Sequence, residues 1–126
     1  MKRIVAAILA FVLGANGVVM LVAGPWWYGV VPGVTATGPF NPHFVMDIGA
    51  AYLVVAGALA WWLFRPGPAH GAAVAAAAFL GLHALIHVAD ALMSGHAAVD
   101  LARDSIGIFL PALAGAWIAW PSAHQA

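Results

Sequence analysis

Four runs of apolar residues, each about as long as a membrane is thick, take up most of this chain: Ile4 to Ala23, Phe44 to Phe64, Gly71 to Met93 and Leu101 to Trp120. A helix rising about 1.5 Å per residue needs roughly 20 such residues to cross the hydrocarbon core. The pattern therefore predicts an all-α integral membrane protein, a four-transmembrane-helix bundle with helices near residues 4–23, 44–64, 71–93 and 101–120 in one membrane domain, 1–126. Lys2 and Arg3 ahead of the first run resemble the start of a signal peptide. The run then continues without a convincing small-residue cleavage site, so the expectation is a retained first helix.

Punctuation between the runs supports the division. Asn41 followed by Pro42 reads as an N-cap with proline at the first helical position, and Arg65-Pro66-Gly67-Pro68 breaks the second helix from the third. Alanine and glycine dominate the start of the third run (GAAVAAAAFLG), which permits close helix approach. Pro111 removes a backbone donor inside the fourth run and frees the Gly107 carbonyl, so a kink is expected there. The long loop 24–41 (GPWWYGVVPGVTATGPFN) has three adjacent aromatics and suits a segment folded back over the bundle's opening.

Orientation comes from charge. Lys2, Arg3 and Arg65 fall at one end, whereas the long loop has no Lys or Arg, so both termini are expected on the cytoplasmic side of a bacterial-type inner membrane. Trp26 and Trp27 at one end, and Trp61, Trp62, Trp117 and Trp120 at the other, read as aromatic belts. Arg103 breaks the pattern and calls for a local partner in Asp100 or Asp104.

Composition narrows the classes. The chain is 65% hydrophobic and 6% charged, with a mean hydropathy of +1.01, more apolar surface than a soluble domain of this length can bury. The expected partner is the lipid bilayer, with a homo-oligomer or larger membrane complex open. Zero formal net charge and four scattered basic residues exclude a nucleic-acid footprint. With no cysteine, disulfides, iron–sulfur clusters, thiolate zinc sites and blue-copper sites are excluded.

The candidate chemistry lies in the remaining polar residues. All four carboxylates, Asp47, Asp90, Asp100 and Asp104, are expected in the non-cytoplasmic half, with His43, His83, His87 and His96. Buried ionisable groups are costly in a membrane, about 2.5–3.5 kcal/mol each on insertion scales, and mark functional sites. At about 100° per residue, offsets of four and seven put His83, His87 and Asp90 on one helical stripe. His43 and Asp47 are one turn apart on the preceding helix. Counted from each helix's outer end, Asp47, Asp90 and Asp104 lie about 5–6 Å deep, His87 about 9 Å, Asn16 about 11 Å and His83 about 15 Å.

Histidines at i and i+4, completed by a carboxylate and a histidine from a neighbouring helix, make a nitrogen and oxygen ligand set of the kind bundles build between facing helices. The expected metal ligands are His43, Asp47, His83, His87 and Asp90, with Asn16, Arg103 and Asp104 around them. Such a set suits iron, copper or zinc. An ion pair with Arg103 is the alternative for Asp47, and helix-packing hydrogen bonds are the alternative for the buried histidines and Asn16. Asp100 reads as a loop residue. Met20, Met46 and Met93 fall near the same face but are not counted as ligands, and His70 and His124 read as exposed at the opposite end.

In size and helix count the chain resembles short four-span bacterial membrane proteins of the DoxX-like kind. Its HxxxD and HxxxHxxD elements resemble the ligand sets of intramembrane zinc hydrolases related to ceramidases and the aspartate–histidine copper sites of membrane monooxygenases. Those families differ in number of spans or in motif spacing and order, so no residue role is carried over. The functional expectation is a membrane metalloprotein in redox chemistry or metal handling, an oxidoreductase ahead of a hydrolase if it is an enzyme. The alternatives are a b-type haem protein, with axial histidines such as His43 and His87, an intramembrane zinc hydrolase, and a non-catalytic accessory subunit.

Overall fold

The computed structural model describes residues 1–121, and His124 lies outside them. The chain forms α1 (Lys2–Val22), α2 (Gly24–Val30), α3 (Pro42–Phe64), α4 (His70–Met93), α5 (Ala97–Asp104) and α6 (Leu110–Ala119). Four helical stretches are long and apolar enough to cross a membrane: α1, α3, α4, and the continuous run from Ala97 to Ala119 that contains α5 and α6. Around the bundle, α1 packs on α3, α3 on α4, α4 on α6, and α6 on α1, which closes a ring. Most of each helix's surface faces outward and is apolar, as Phe11, Val54, Leu82 and Leu113 illustrate.

Small residues set how near the helices come. A Cβ added to Gly17 would lie 2.7 Å from the Gly49 carbonyl oxygen, and one added to Gly49 would lie 2.9 Å from Met20 Cβ, so backbone meets backbone where α1 crosses α3. The alanine-rich start of α4 acts similarly: Ala73 and Ala76 are buried, and Gly115 of α6 comes against Ala77. Leu9, Leu13, Val55, Leu59, Leu80 and Ile118 fill the core between these contacts.

Polar contacts mark both ends of the bundle. At the terminal end, the Lys2 ammonium donates to the Trp120 carbonyl at 2.6 Å and stands 5.8 Å over the Trp117 ring, a cation placed where a helix exposes its last carbonyls. The expected aromatic belt at this end needs one correction. Trp61 is 53% exposed, but Trp62 is only 4% exposed and fills the core, because adjacent helical positions differ by about 100° in direction. At the other end, here the loop end, Asn41 Oδ1 accepts from the Phe44 amide at 3.2 Å, the expected N-cap of α3.

The long loop has structure of its own: it contains α2 and a 3₁₀ turn at Val34–Thr37. The Trp27 indole donates to Asn16 Oδ1 at 2.8 Å, which fixes α2 to α1, and Asn16 Nδ2 in turn donates to the Met20 sulfur at 3.4 Å. Tyr28 sets its ring edge-on to Phe40 and donates its hydroxyl to the Gly38 carbonyl. The fourth span also starts earlier than expected, at Ala97, so Asp100 is helical and not in a loop. In place of a simple kink, Ser105–Phe109 forms a π-helical turn, with the Leu110 amide reaching back to the Ser105 carbonyl. That turn precedes Pro111, whose missing N–H would otherwise have served Gly107.

Candidate functional site

On α4, Phe79, His83 and His87 follow one another at spacings of four and so share one face. The Phe79 and His83 rings are parallel with centroids 6.2 Å apart, and the His83 and His87 rings stand 4.8 Å apart at 70°. Tyr52 of α3 meets this ladder from the side. Its ring is edge-on to Phe79 and His83, and its hydroxyl lies 3.2 Å from His83 Nε2. A buried phenol in an apolar span has to find a partner, and His83 is the one within reach.

His87 continues the polar contacts toward the loop end. Its Nδ1 lies 2.7 Å from Oδ2 of Asp104, which is only 7% exposed, so an N–H on that nitrogen donates to the carboxylate. Asp104 is held from its other side by Arg103, with Nε 2.8 Å from Oδ1 and Nη2 3.2 Å from Oδ2. The same guanidinium donates through Nη1 to Asp100 at 2.7 Å, and Asp100 accepts from the Ser94 hydroxyl at 2.5 Å. Helix geometry explains why these groups meet. Asp100, Arg103 and Asp104 stand at i, i+3 and i+4 of one short polar helix, α5, whose face is turned to the end of α4.

The chemical consequence concerns His87. A carboxylate at Nδ1 selects the tautomer with its proton there, so Nε2 keeps a lone pair. Metal-ligating histidines commonly carry such a carboxylate on the ring nitrogen that does not bind the metal. Arg103 holds Asp104 in place, and Asp100 and Asp104 set two carboxylates against one guanidinium. A positive charge on or beside His87 would balance the cluster.

The expected ligands are only partly gathered. His83 and His87 are neighbours, but His43 and Asp47 pair with each other at 3.6 Å on the rim of α3, with side chains 88% and 63% exposed. Asp90 is exposed at the end of α4 and shares no side-chain hydrogen bond among the described residues. The carboxylate that meets His87 is Asp104, which was expected around the ligands. Among the described residues, no three His, Cys, Asp or Glu side chains stand close enough to hold a metal ion by themselves. Asn16 bonds Trp27 and Met20 and does not reach the histidines. Arg103 pairs with both expected partners, Asp100 and Asp104, and not with Asp47.

Three contributors were not read from the sequence. Tyr52 had a usable signal, since a hydroxyl near the middle of an apolar span needs a partner. Ser94 and Gly33 had none, because their roles depend on where α5 and the loop settle. A Cβ added to Gly33 would lie 2.6 Å from Arg103 Nε and 2.8 Å from its Cζ, so the loop backbone rests on the guanidinium.

Together these features define an all-helical chain with four membrane-length spans and an interhelical Tyr–His–His–Asp–Arg cluster at its loop end. Comparison with protein-family models finds no match, and comparisons with curated proteins and with solved structures find none either.

Proposed function

We propose that the chain is a multi-pass protein of a bacterial-type inner membrane, with both termini cytoplasmic, that binds a transition metal ion through His83 and His87 near the periplasmic face, for redox chemistry or metal handling. The observation that carries this reading is the Asp104 carboxylate at His87 Nδ1, locked by Arg103, which leaves the other ring nitrogen free to ligate. His83 is the adjacent imidazole, and the Tyr52 oxygen 3.2 Å from it is a third potential donor. Two imidazoles and a phenol fall short of a closed shell, which suits a metal with open positions for water, oxygen or substrate. Iron and copper fit this nitrogen and oxygen set, as does zinc. A haem held by one axial histidine from each of two helices would pair His87 with His43, and His43 spends its contact on Asp47 at the exposed rim.

A second reading has an observation in its favour. Tyr52–His83, His87–Asp104 and Trp27–Asn16 all join different helices, which is how an accessory subunit would use polar side chains simply to hold its bundle together. Sidedness and pH separate the two. On the metalloprotein reading, an impermeant chelator outside right-side-out vesicles strips bound metal, the same chelator enclosed inside does not, and release accelerates as pH falls because ligating imidazoles must be neutral. Equal stripping from both sides would exclude a periplasmic-facing site. Failure of the protein to take up added metal from either side would favour the accessory-subunit reading.

A further inference from the structure

Gly33 is where the loop between α2 and α3 touches the site. It has a φ of 87° and begins the 3₁₀ turn, and a Cβ there would also lie 3.2 Å from Arg103 Cδ, so only glycine lets the backbone lie this close to the guanidinium. Among the described residues, no hydrogen bond joins residues 31–40 to α3, α4, α5 or α6. Their hydrogen bonds run within the loop or to α2. The loop is anchored at its two ends, by Trp27 on Asn16 and by Phe40 packed against the core, and the stretch between them carries Gly33. Segments held by few contacts open at low free-energy cost.

We propose that this loop is a latch on the histidine site, with Gly33 as its catch on Arg103. Closed, the loop backbone presses on the guanidinium, which holds Asp104, which holds His87. Open, Arg103 is free to swing with its carboxylates toward solvent, and His87, already 27% exposed, loses its orienting partner and becomes more reachable. Arg103 is thus a positioning residue that joins loop closure to the state of His87. This inference rests on His83 and His87 being the working site.

The test uses the full-length protein in detergent and follows modification of each histidine by diethyl pyrocarbonate, resolved by mass spectrometry. Gly33→Ala should accelerate modification of His87 by about five- to thirtyfold, the change that one or two kcal/mol produces in an opening equilibrium. Gly38→Ala is the control for backbone strain: Gly38 also has a positive φ, 135°, but open space around it, so a smaller acceleration of His87 there than in Gly33→Ala isolates the contact with Arg103. Arg103→Lys, which keeps the charge but loses the fork, should accelerate His87 with Gly33 intact. The double variant Gly33→Ala/Arg103→Lys should be no faster than the faster single one, since both break one contact.

An unchanged His87 rate in Gly33→Ala, or equal acceleration in Gly38→Ala, would overturn the latch. If Gly33→Ala fails to fold, Trp27→Phe decides, since it frees the base of the loop and leaves Arg103 and its carboxylates untouched: an unchanged His87 rate there overturns the latch and a faster one supports it. Metal binding is measured in parallel on the parent protein. A parent that takes up no metal removes the metalloprotein reading, while the His87 rates still decide the latch.

Discussion

Replacing His87 with alanine is expected to cost more than about 100-fold in metal affinity, and His83→Ala a comparable amount, whereas His70→Ala leaves affinity unchanged. Loss of a ligand's orienting partner alone typically costs 10–100-fold, so loss of the ligand itself should cost more. His70 is a fair comparison because it starts α4 at the terminal end, a full span away from the site. His43→Ala should have a small effect, since that imidazole faces the rim and meets only Asp47. Isothermal titration with zinc or cobalt(II), on variants that elute as the parent does, provides the measurement. If His43→Ala proved as damaging as His87→Ala, the ligand set would extend to α3 and the rim pair would have to move inward on binding.

The second large effect concerns Asp104, which does two things that substitution can separate. Asp104→Asn keeps the size and one acceptor oxygen but loses the charge that selects the His87 tautomer. It should weaken metal binding by about 10–100-fold with little loss of stability. Asp104→Leu also leaves Arg103 and His87 without their shared partner, at a cost of about 1–3 kcal/mol in stability, because Asp100 still holds one arm of the arginine. Thermal unfolding in detergent, followed by tryptophan fluorescence beside the titrations, reads both quantities. An Asp104→Asn protein that bound metal like the parent would reduce Asp104 to a structural role.

The spans were legible because length and apolarity are properties of a run of residues and need no knowledge of neighbours. Residues 42–64 and 70–93 match their expected helices within two residues at each end. The partners of Arg103 were legible for the same local reason, since Asp100 and Asp104 are one helical turn or less away in sequence. The ligand set was less so. Counting 1.5 Å per residue fixes depth but not rotation about the helix axis. Asp47 and Asp104 matched in depth, yet Asp47 faces outward and Asp104 faces the core. Asp90 turns on a related point. It lies near the His83–His87 stripe, but Asp104 arrives on α5 and takes the His87 nitrogen first. The π turn and the seat of Gly33 on Arg103 arise from tertiary packing, which no local pattern carries.

The most direct test is the metal content of the protein itself. Purified under conditions that spare weakly held ions, or reloaded and dialysed, it should carry about one equivalent of iron, copper or zinc per chain by elemental analysis. Its optical spectrum should lack a Soret band, and the His83→Ala/His87→Ala variant should be essentially metal-free. A protein that remains folded, holds less than about one tenth of an equivalent and takes up no added metal would contradict the account.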